Sequence, residues 1–134
     1  MSVPLPDGLV ELLRRPAPCF IATLMPDGSP QMTETWVDTD GEHVVVNVVG
    51  GMQKDRNLAR DPRVAINVAD PDMPARYFGI RGRVVETTTE GGKEHIEQLS
   101  QRYLGRPYPV FSGDPDETRV ILRIAADSIH APFG

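Results

Sequence analysis

The spacing of apolar side chains changes several times along the chain, and each change marks a predicted element. Leu9, Leu12 and Leu13 follow Pro6 and Asp7 at helical spacing, and Pro16 turns Arg15 away from helix, so a short amphipathic helix opens the chain. Its apolar face is expected to plug one end of the core. Residues 19–25 run apolar and β-compatible, 26–30 (Pro-Asp-Gly-Ser-Pro) supply turn chemistry, and 31–38 resume a strand, which together predict a hairpin. Asp40-Gly41 is a strong hairpin signal and leads into the valine-rich run 44–49, so three strands are expected to form an antiparallel meander.

Gly50 and Gly51 interrupt that run, and residues 52–60 are helix-compatible until Asp61-Pro62 ends them. Residues 64–69 read as a fourth strand, 70–74 as a loop, and 77–87 as a long fifth strand that Gly79 and Gly82 allow to bend. Ile96, Leu99, Tyr103 and Leu104 form one stripe of a helix that Gly105 and Pro107 terminate. A polar loop through Asp114 and Asp116 reaches a last strand, predicted from 119 to 124 and onward. Six strands and three helices with no strict strand–helix alternation disfavour a parallel dinucleotide-binding sheet. Short antiparallel strands remove their edges by closing on themselves. The predicted fold is therefore mainly β (α+β), a six-stranded antiparallel barrel with short flanking helices in one domain over residues 1–134.

Composition narrows the class. A chain of 134 residues closes one core, and 40% hydrophobic with 25% charged residues is an ordinary globular balance. No stretch approaches the roughly 20 apolar residues that span a bilayer, and residues 1–13 lack the pattern of a secretory leader, so no export is expected. The single cysteine, Cys19, fits a reducing compartment, with the cytoplasm as the expectation. It lies in an apolar run and reads as a small buried hydrophobe rather than a nucleophile.

The net charge of −5 conceals an uneven distribution: residues 1–49 carry 2 basic and 7 acidic side chains, 50–83 carry 7 and 4, and 84–134 carry 5 and 8. One basic island in an acidic chain suits a small anion better than a nucleic acid, whose phosphates need a broad positive surface. In that island, Gly50 and Gly51 at a strand end would let backbone N–H groups approach an anion at the start of a helix. Lys54 would add a point charge, Arg56 a planar fork and Asn57 a neutral donor. By composition alone, a solvated surface helix explains the same residues. Arg81 and Arg83 share a strand face with Tyr77 and could bind an acidic cofactor tail, but such pairs more often are solvent-facing residues or partners of acids such as Asp70 and Glu86, while Phe78, Ile80 and Val84 face the core. Trp36 either fills the core, the expected role, or stacks on a planar ring. His43, His95 and His130 show no metal-ligand spacing, and no hydrolase or nucleotide-loop motif is present.

Four stretches carry a resemblance: Gly28-Ser29-Pro30-Gln31, Gln53-Lys54-Asp55-Arg56-Asn57-Leu58-Ala59-Arg60-Asp61-Pro62, Arg81-Gly82-Arg83-Val84 and Arg102-Tyr103-Leu104-Gly105. From about Pro18 to Ile129 the chain resembles the split-barrel flavin-binding superfamily of pyridoxamine 5'-phosphate oxidase-like proteins, in particular the branch that uses the deazaflavin coenzyme F420. The Lys-x-Arg-Asn-Leu-x-Arg-Asp-Pro pattern is its most specific element. The resemblance implies a split β-barrel homodimer with two cofactor sites at the subunit interface. It implies that Lys54, Gln53 and Arg56 meet the cofactor phosphate, with Asn57 supporting that turn and Met52 beside it. Thr33, Thr35, Asn47, Val48 and Val49 would lie along the ring system and side chain, and Tyr77 would reach in from the partner.

The vitamin B6 oxidases carry a basic residue on the second strand and a His/Arg motif near the C-terminus, whereas here residues 32–37 have no basic residue and 124–134 have only His130. The expected activity is accordingly hydride transfer from reduced F420 to an unsaturated organic acceptor, with Tyr77 or Gln31 as candidate proton donors. The alternatives are an FMN-linked oxidase or reductase on the same fold and a non-catalytic deazaflavin carrier.

Overall fold

The computed structural model describes residues 2–133. Helix α1 (Asp7–Leu13) precedes strands β1 (Cys19–Leu24), β2 (Pro30–Thr35), β3 (Val37–Thr39) and β4 (Val44–Val49). Helix α2 (Gln53–Arg60), strands β5 (Arg63–Ala69) and β6 (Tyr77–Thr88), helix α3 (Gly92–Leu104) and strand β7 (Arg119–His130) follow. The strands form one sheet in the order β2-β1-β5-β6-β7-β4-β3, and every pairing is antiparallel.

The strand expected over 31–38 is two strands, which makes seven in place of the expected six. β2 pairs with β1, from Cys19 opposite Thr35 to Leu24 opposite Pro30, whereas β3 pairs with β4, Val37 opposite Val46. The expected three-stranded meander is therefore not formed. Propensity marks a residue as extended but does not choose its hydrogen-bond partner, and no breaker is needed for a chain to leave one strand and join another. β2 and β3 stand at opposite ends of the strand order yet are separated by Trp36 alone. The sheet must curl until its two ends meet at that residue, which produces the split barrel.

The interior follows from period-two alternation. Ile21, Val46, Val68, Phe78 and Leu122 are almost completely buried, and Leu9, Leu12 and Leu13 of α1 close one end, each Leu contributing about 1.5–3 kcal/mol of burial. β4 is buried along nearly its whole length because the barrel covers one face and α3, with Ile96 and Leu99 inward, lies over the other. Gly82 sits at a register shift between β6 and β7 and is required there, since a Cβ would overlap the carbonyl oxygen of Ala125.

Arg81 and Arg83 do not pair with Asp70 and Glu86. The β6–β7 register puts Arg81 beside Ser128, 3.1 Å from its Oγ, and Arg83 beside Asp127. Asp70 is held instead by Arg76 at 3.2 Å and Arg15 at 3.6 Å, and Glu86 by Arg123 at 3.4 Å. Cys19 is buried, and burial pushes its thiol up to about 12, which leaves it unreactive at neutral pH.

Candidate functional site

A cleft of about 630 Å³ opens between β2, the end of β4, the start of α2, α3 and the loop 105–118. Its two ends differ in chemistry. At one end Lys54, in the first turn of α2, reaches back to β2 and donates from Nζ to Thr33 Oγ1 at 3.0 Å. Among the described residues no carboxylate lies within 4.0 Å of this ammonium. Burial lowers its pKa below the ordinary lysine value, and the Arg119 charge adds to that shift. A half-buried ammonium with one hydroxyl partner keeps two N–H donors for a ligand.

The glycine amides do not form the expected anion cradle. Gly50 N–H donates to Thr118 O at 2.8 Å, Gly51 N–H to Asp55 Oδ2 at 2.8 Å, and Met52 N–H to Val49 O at 3.4 Å. Gly51 is nonetheless required, because φ of 83° carries the chain from β4 into α2. The first intrahelical bond runs from Arg56 N–H to Met52 O, so the amides of Gln53, Lys54 and Asp55 precede it and point out of the helix start.

Arg56 is exposed and lies outside the cleft wall; its fork donates to Gly51 O and to Gln53 Oε1, both at 2.7 Å, and braces the turn from outside. Asn57 is fully buried. It donates from Nδ2 to Thr23 Oγ1 at 3.0 Å and accepts from Gln53 Nε2 at 2.8 Å, fastening α2 to β1. Gln53 and Met52 border the cleft beside Lys54. Along the middle, the alternation of β2 turns Gln31, Thr33 and Thr35 inward, and Asn47, Val48 and Val49 line the opposite wall. The Asn47 side chain is already engaged: Nδ2 donates to Gly92 O at 2.9 Å, and Oδ1 accepts from Arg119 Nε at 2.7 Å. Tyr77, at the start of β6, is outside the cleft of its own chain and lies 6.1 Å from the His130 ring.

The other end is aromatic. Trp36 is half-buried rather than a core residue, stacked on Tyr103 at 5.4 Å with edges of Tyr108 and Phe111 at 6.3 and 5.9 Å. The Tyr103 hydroxyl donates to Ala17 O at 2.7 Å and accepts from Val37 N–H at 3.2 Å, so the platform beneath Trp36 is tied to the backbone on two sides. Arg119, only 8% exposed, donates from Nη1 to the Tyr108 hydroxyl at 3.2 Å and to Glu117 Oε1 at 3.4 Å. Among the described residues no cluster of three or more His, Cys, Asp or Glu is arranged to hold a metal ion.

Comparison with known proteins agrees with this architecture. The family described as pyridoxamine 5'-phosphate oxidase matches residues 5–131. The chain belongs to that family. A solved structure named F420 reductase is 34% identical and superposes with a TM-score of 0.78, covering 94% of this chain and 98% of that one. A conserved hypothetical protein from Mycobacterium tuberculosis is 26% identical with a TM-score of 0.68, covering 97% and 85%. General Stress Protein 26 from Bacillus anthracis, at 16% identity and a TM-score of 0.67 over 93% and 91%, shares the fold. No curated protein matches.

For this member of the pyridoxamine 5'-phosphate oxidase family, sequence reasoning missed Arg119, Tyr108, Phe111, Ile96 and Leu104, all of which line the cleft. Arg119 faces Asn47 only because β7 pairs with β4, and Tyr108 and Phe111 sit in a loop with no local motif. A separate groove of about 450 Å³ runs over the outside of the sheet, where Phe20 and Met32 remain 40% and 68% exposed.

Proposed function

We propose that this protein is an oxidoreductase that holds coenzyme F420 in the cleft and directs a hydride from its reduced form to an unsaturated organic acceptor. The observation that carries the reading is the half-buried Lys54 ammonium, free of any carboxylate among the described residues, at one end of a cleft that turns apolar and aromatic. The donor set fits a phosphate-bearing deazaflavin: Lys54, Gln53 and the open amides of α2 suit the phosphate, while Met52, Thr33, Thr35, Val48 and Val49 suit its side chain and ring. The 34% identity to a structure named F420 reductase supports the same choice.

The cofactor supplies the hydride when bound. The protein's part is to anchor the anionic end at Lys54, orient the ring against the wall of β4, and exclude water with Trp36, Tyr108 and Phe111. Arg56 and Asn57 act indirectly, by keeping the turn before α2 and its seat on β1 in place. The proposal includes a homodimer with Tyr77 completing the partner's cleft; the apolar outer groove around Phe20 and Met32 is the surface that association would cover. A cytoplasmic setting is proposed from the lone free thiol at Cys19.

A second reading, FMN in the same cleft, is favoured by the family match over residues 5–131. Titrating F420 and FMN separately into apo-protein, with fluorescence as the readout, decides between them. F420 is expected to bind more tightly, and Lys54→Ala to cost about 1.5–3 kcal/mol of that affinity, the range for a charge-assisted hydrogen bond. Unchanged F420 affinity in the variant would remove the anchor assignment.

A further inference from the structure

A chain of polar contacts that the proposed reaction does not use connects the edge of the barrel to the cleft. It starts at Asp38 on β3, passes His95 on α3 and Asn47 on β4, and ends at Arg119. His95 Nε2 lies 3.0 Å from Asp38 Oδ2, His95 Nδ1 lies 3.1 Å from Asn47 Nδ2, and Arg119 Nε lies 2.7 Å from Asn47 Oδ1.

The direction of each bond follows from two groups whose roles are invariant. An arginine Nε–H only donates, so the Asn47 atom facing it is the carbonyl oxygen. The backbone oxygen of Gly92 only accepts, so the atom 2.9 Å from it is the Asn47 amide nitrogen. That nitrogen also faces His95 Nδ1, which therefore accepts, and the imidazole proton sits on Nε2 and is donated to Asp38. His95 is held as the neutral Nε2–H tautomer.

A second proton on His95 breaks this order. Nδ1–H then meets the Asn47 NH2, donor against donor. The amide satisfies it only by turning over, which withdraws the carbonyl from Arg119 and the nitrogen from Gly92. We propose that His95 is a positioning residue of the cleft: neutral, it locks the Arg119 Nε–H against the Asn47 side chain, and protonated, it frees that Nε–H for an anionic ligand while the Asn47 backbone oxygen, Tyr108 and Glu117 keep hold of the other two nitrogens.

The charged groups facing His95 and its relay are Asp38 from β3, Arg102 from its own helix at 3.2 Å from Asp38, and the Arg119–Glu117 pair at 3.4 Å near the start of β7. Opposite charges flank both ends, which leaves the Asn47 amide as the element with two arrangements. Coupling is reciprocal, so an anion that takes up the Arg119 Nε–H also makes His95 easier to protonate.

Only the ligand step rests on the proposed anion-binding cleft; the rearrangement is measurable in ligand-free protein. In nitrogen-labelled protein followed by NMR, His95 is expected as the Nε2–H tautomer at about pH 8. On acidification the Arg119 Nε–H and Asn47 side-chain amide signals should move with the His95 midpoint. An Nδ1–H tautomer at the alkaline end, or a His95 titration that leaves Arg119 Nε–H unmoved, overturns the proposal.

Sulfate, whose charge is constant over this range, tests the ligand step. Its affinity is expected to rise about fivefold or more between pH 8 and pH 5.5, and His95→Gln should reduce that ratio to less than about twofold. The same ratio in the variant, or no sulfate binding at the acid end, counts against the release of the Arg119 Nε–H. If His95→Gln does not fold, the wild-type spectra decide alone. Failure of F420 and FMN to bind at any pH, with the His95–Arg119 coupling intact, would sink the proposed function and leave this inference standing.

Discussion

The two ends of the cleft are built in opposite ways. The frame of the basic end is local: Gly51, Gln53, Asp55, Arg56 and Asn57 bond largely to one another within one turn and the helix that follows, and only the Lys54 ammonium reaches out of it, to Thr33 on β2. The aromatic end is assembled from Trp36, Tyr103, Tyr108, Phe111 and Arg119, which come together only when β3, α3, the loop 105–118 and β7 are all in place. A site made locally tolerates change elsewhere in the fold, whereas one made by assembly shares the fate of every element that contributes to it.

The strongest way to separate the two ends is at Gly92, where α3 crosses β7 so closely that a Cβ would overlap the backbone oxygen of Arg119. Gly92→Ala is expected to cost about 1–3 kcal/mol of stability, the range for overpacking, measured by urea unfolding. It should alter the fluorescence of Trp36, the only tryptophan, while Lys54→Ala still weakens F420 binding in the Gly92→Ala background as it does in the wild type. Loss of both ends together would show that the local segment is less independent than its bonds indicate.

A smaller effect is expected at Asp38. Burial pushes its carboxyl up, but bonds from His95, the Thr39 amide and Arg102 outweigh this and hold it below the usual carboxylate value. A depressed folded-state pKa contributes stability that is present above the unfolded value and lost as pH falls through the folded one, so the loss belongs below about pH 4. Asp38→Asn should cost about 1 kcal/mol at neutral pH, because the pair is partly exposed, and flatten the acid limb of the stability profile. An unchanged acid limb would mean that Asp38 does not anchor this side of the molecule.

The smallest effect is expected at Phe111, which is 68% exposed. Phe111→Ala should change stability by less than about 0.5 kcal/mol, as for most surface substitutions, yet shift the Trp36 emission because an aromatic edge is removed 5.9 Å from its ring. A large stability loss would place Phe111 in the fold rather than at the mouth of the cleft.

The same contrast explains what was readable in advance. The basic turn before α2 was readable because Gly51, Gln53, Asp55, Arg56 and Asn57 are neighbours in sequence and in space, and the end of α3 at Gly105 was readable because its left-handed φ of 68° is a local demand that glycine meets. The glycine cradle failed because Thr118 and Asp55 occupy the amides of Gly50 and Gly51, and Thr118 arrives from a distant segment. The expected six strands became seven because the switch of partners at Trp36 leaves no mark on propensity.

By itself the sequence determined the alternating strands, the helix ends, the isolated basic turn and the family pattern running through it, since each depends on side-chain period, backbone freedom or charge within a few residues. Tertiary structure alone decided that the sheet closes at Trp36, that Arg119 meets Asn47, and that the basic turn faces an aromatic wall. Those are pairings between segments far apart in the chain, and a hydrogen bond or a stacked ring depends on where its partner is brought, which no local pattern records.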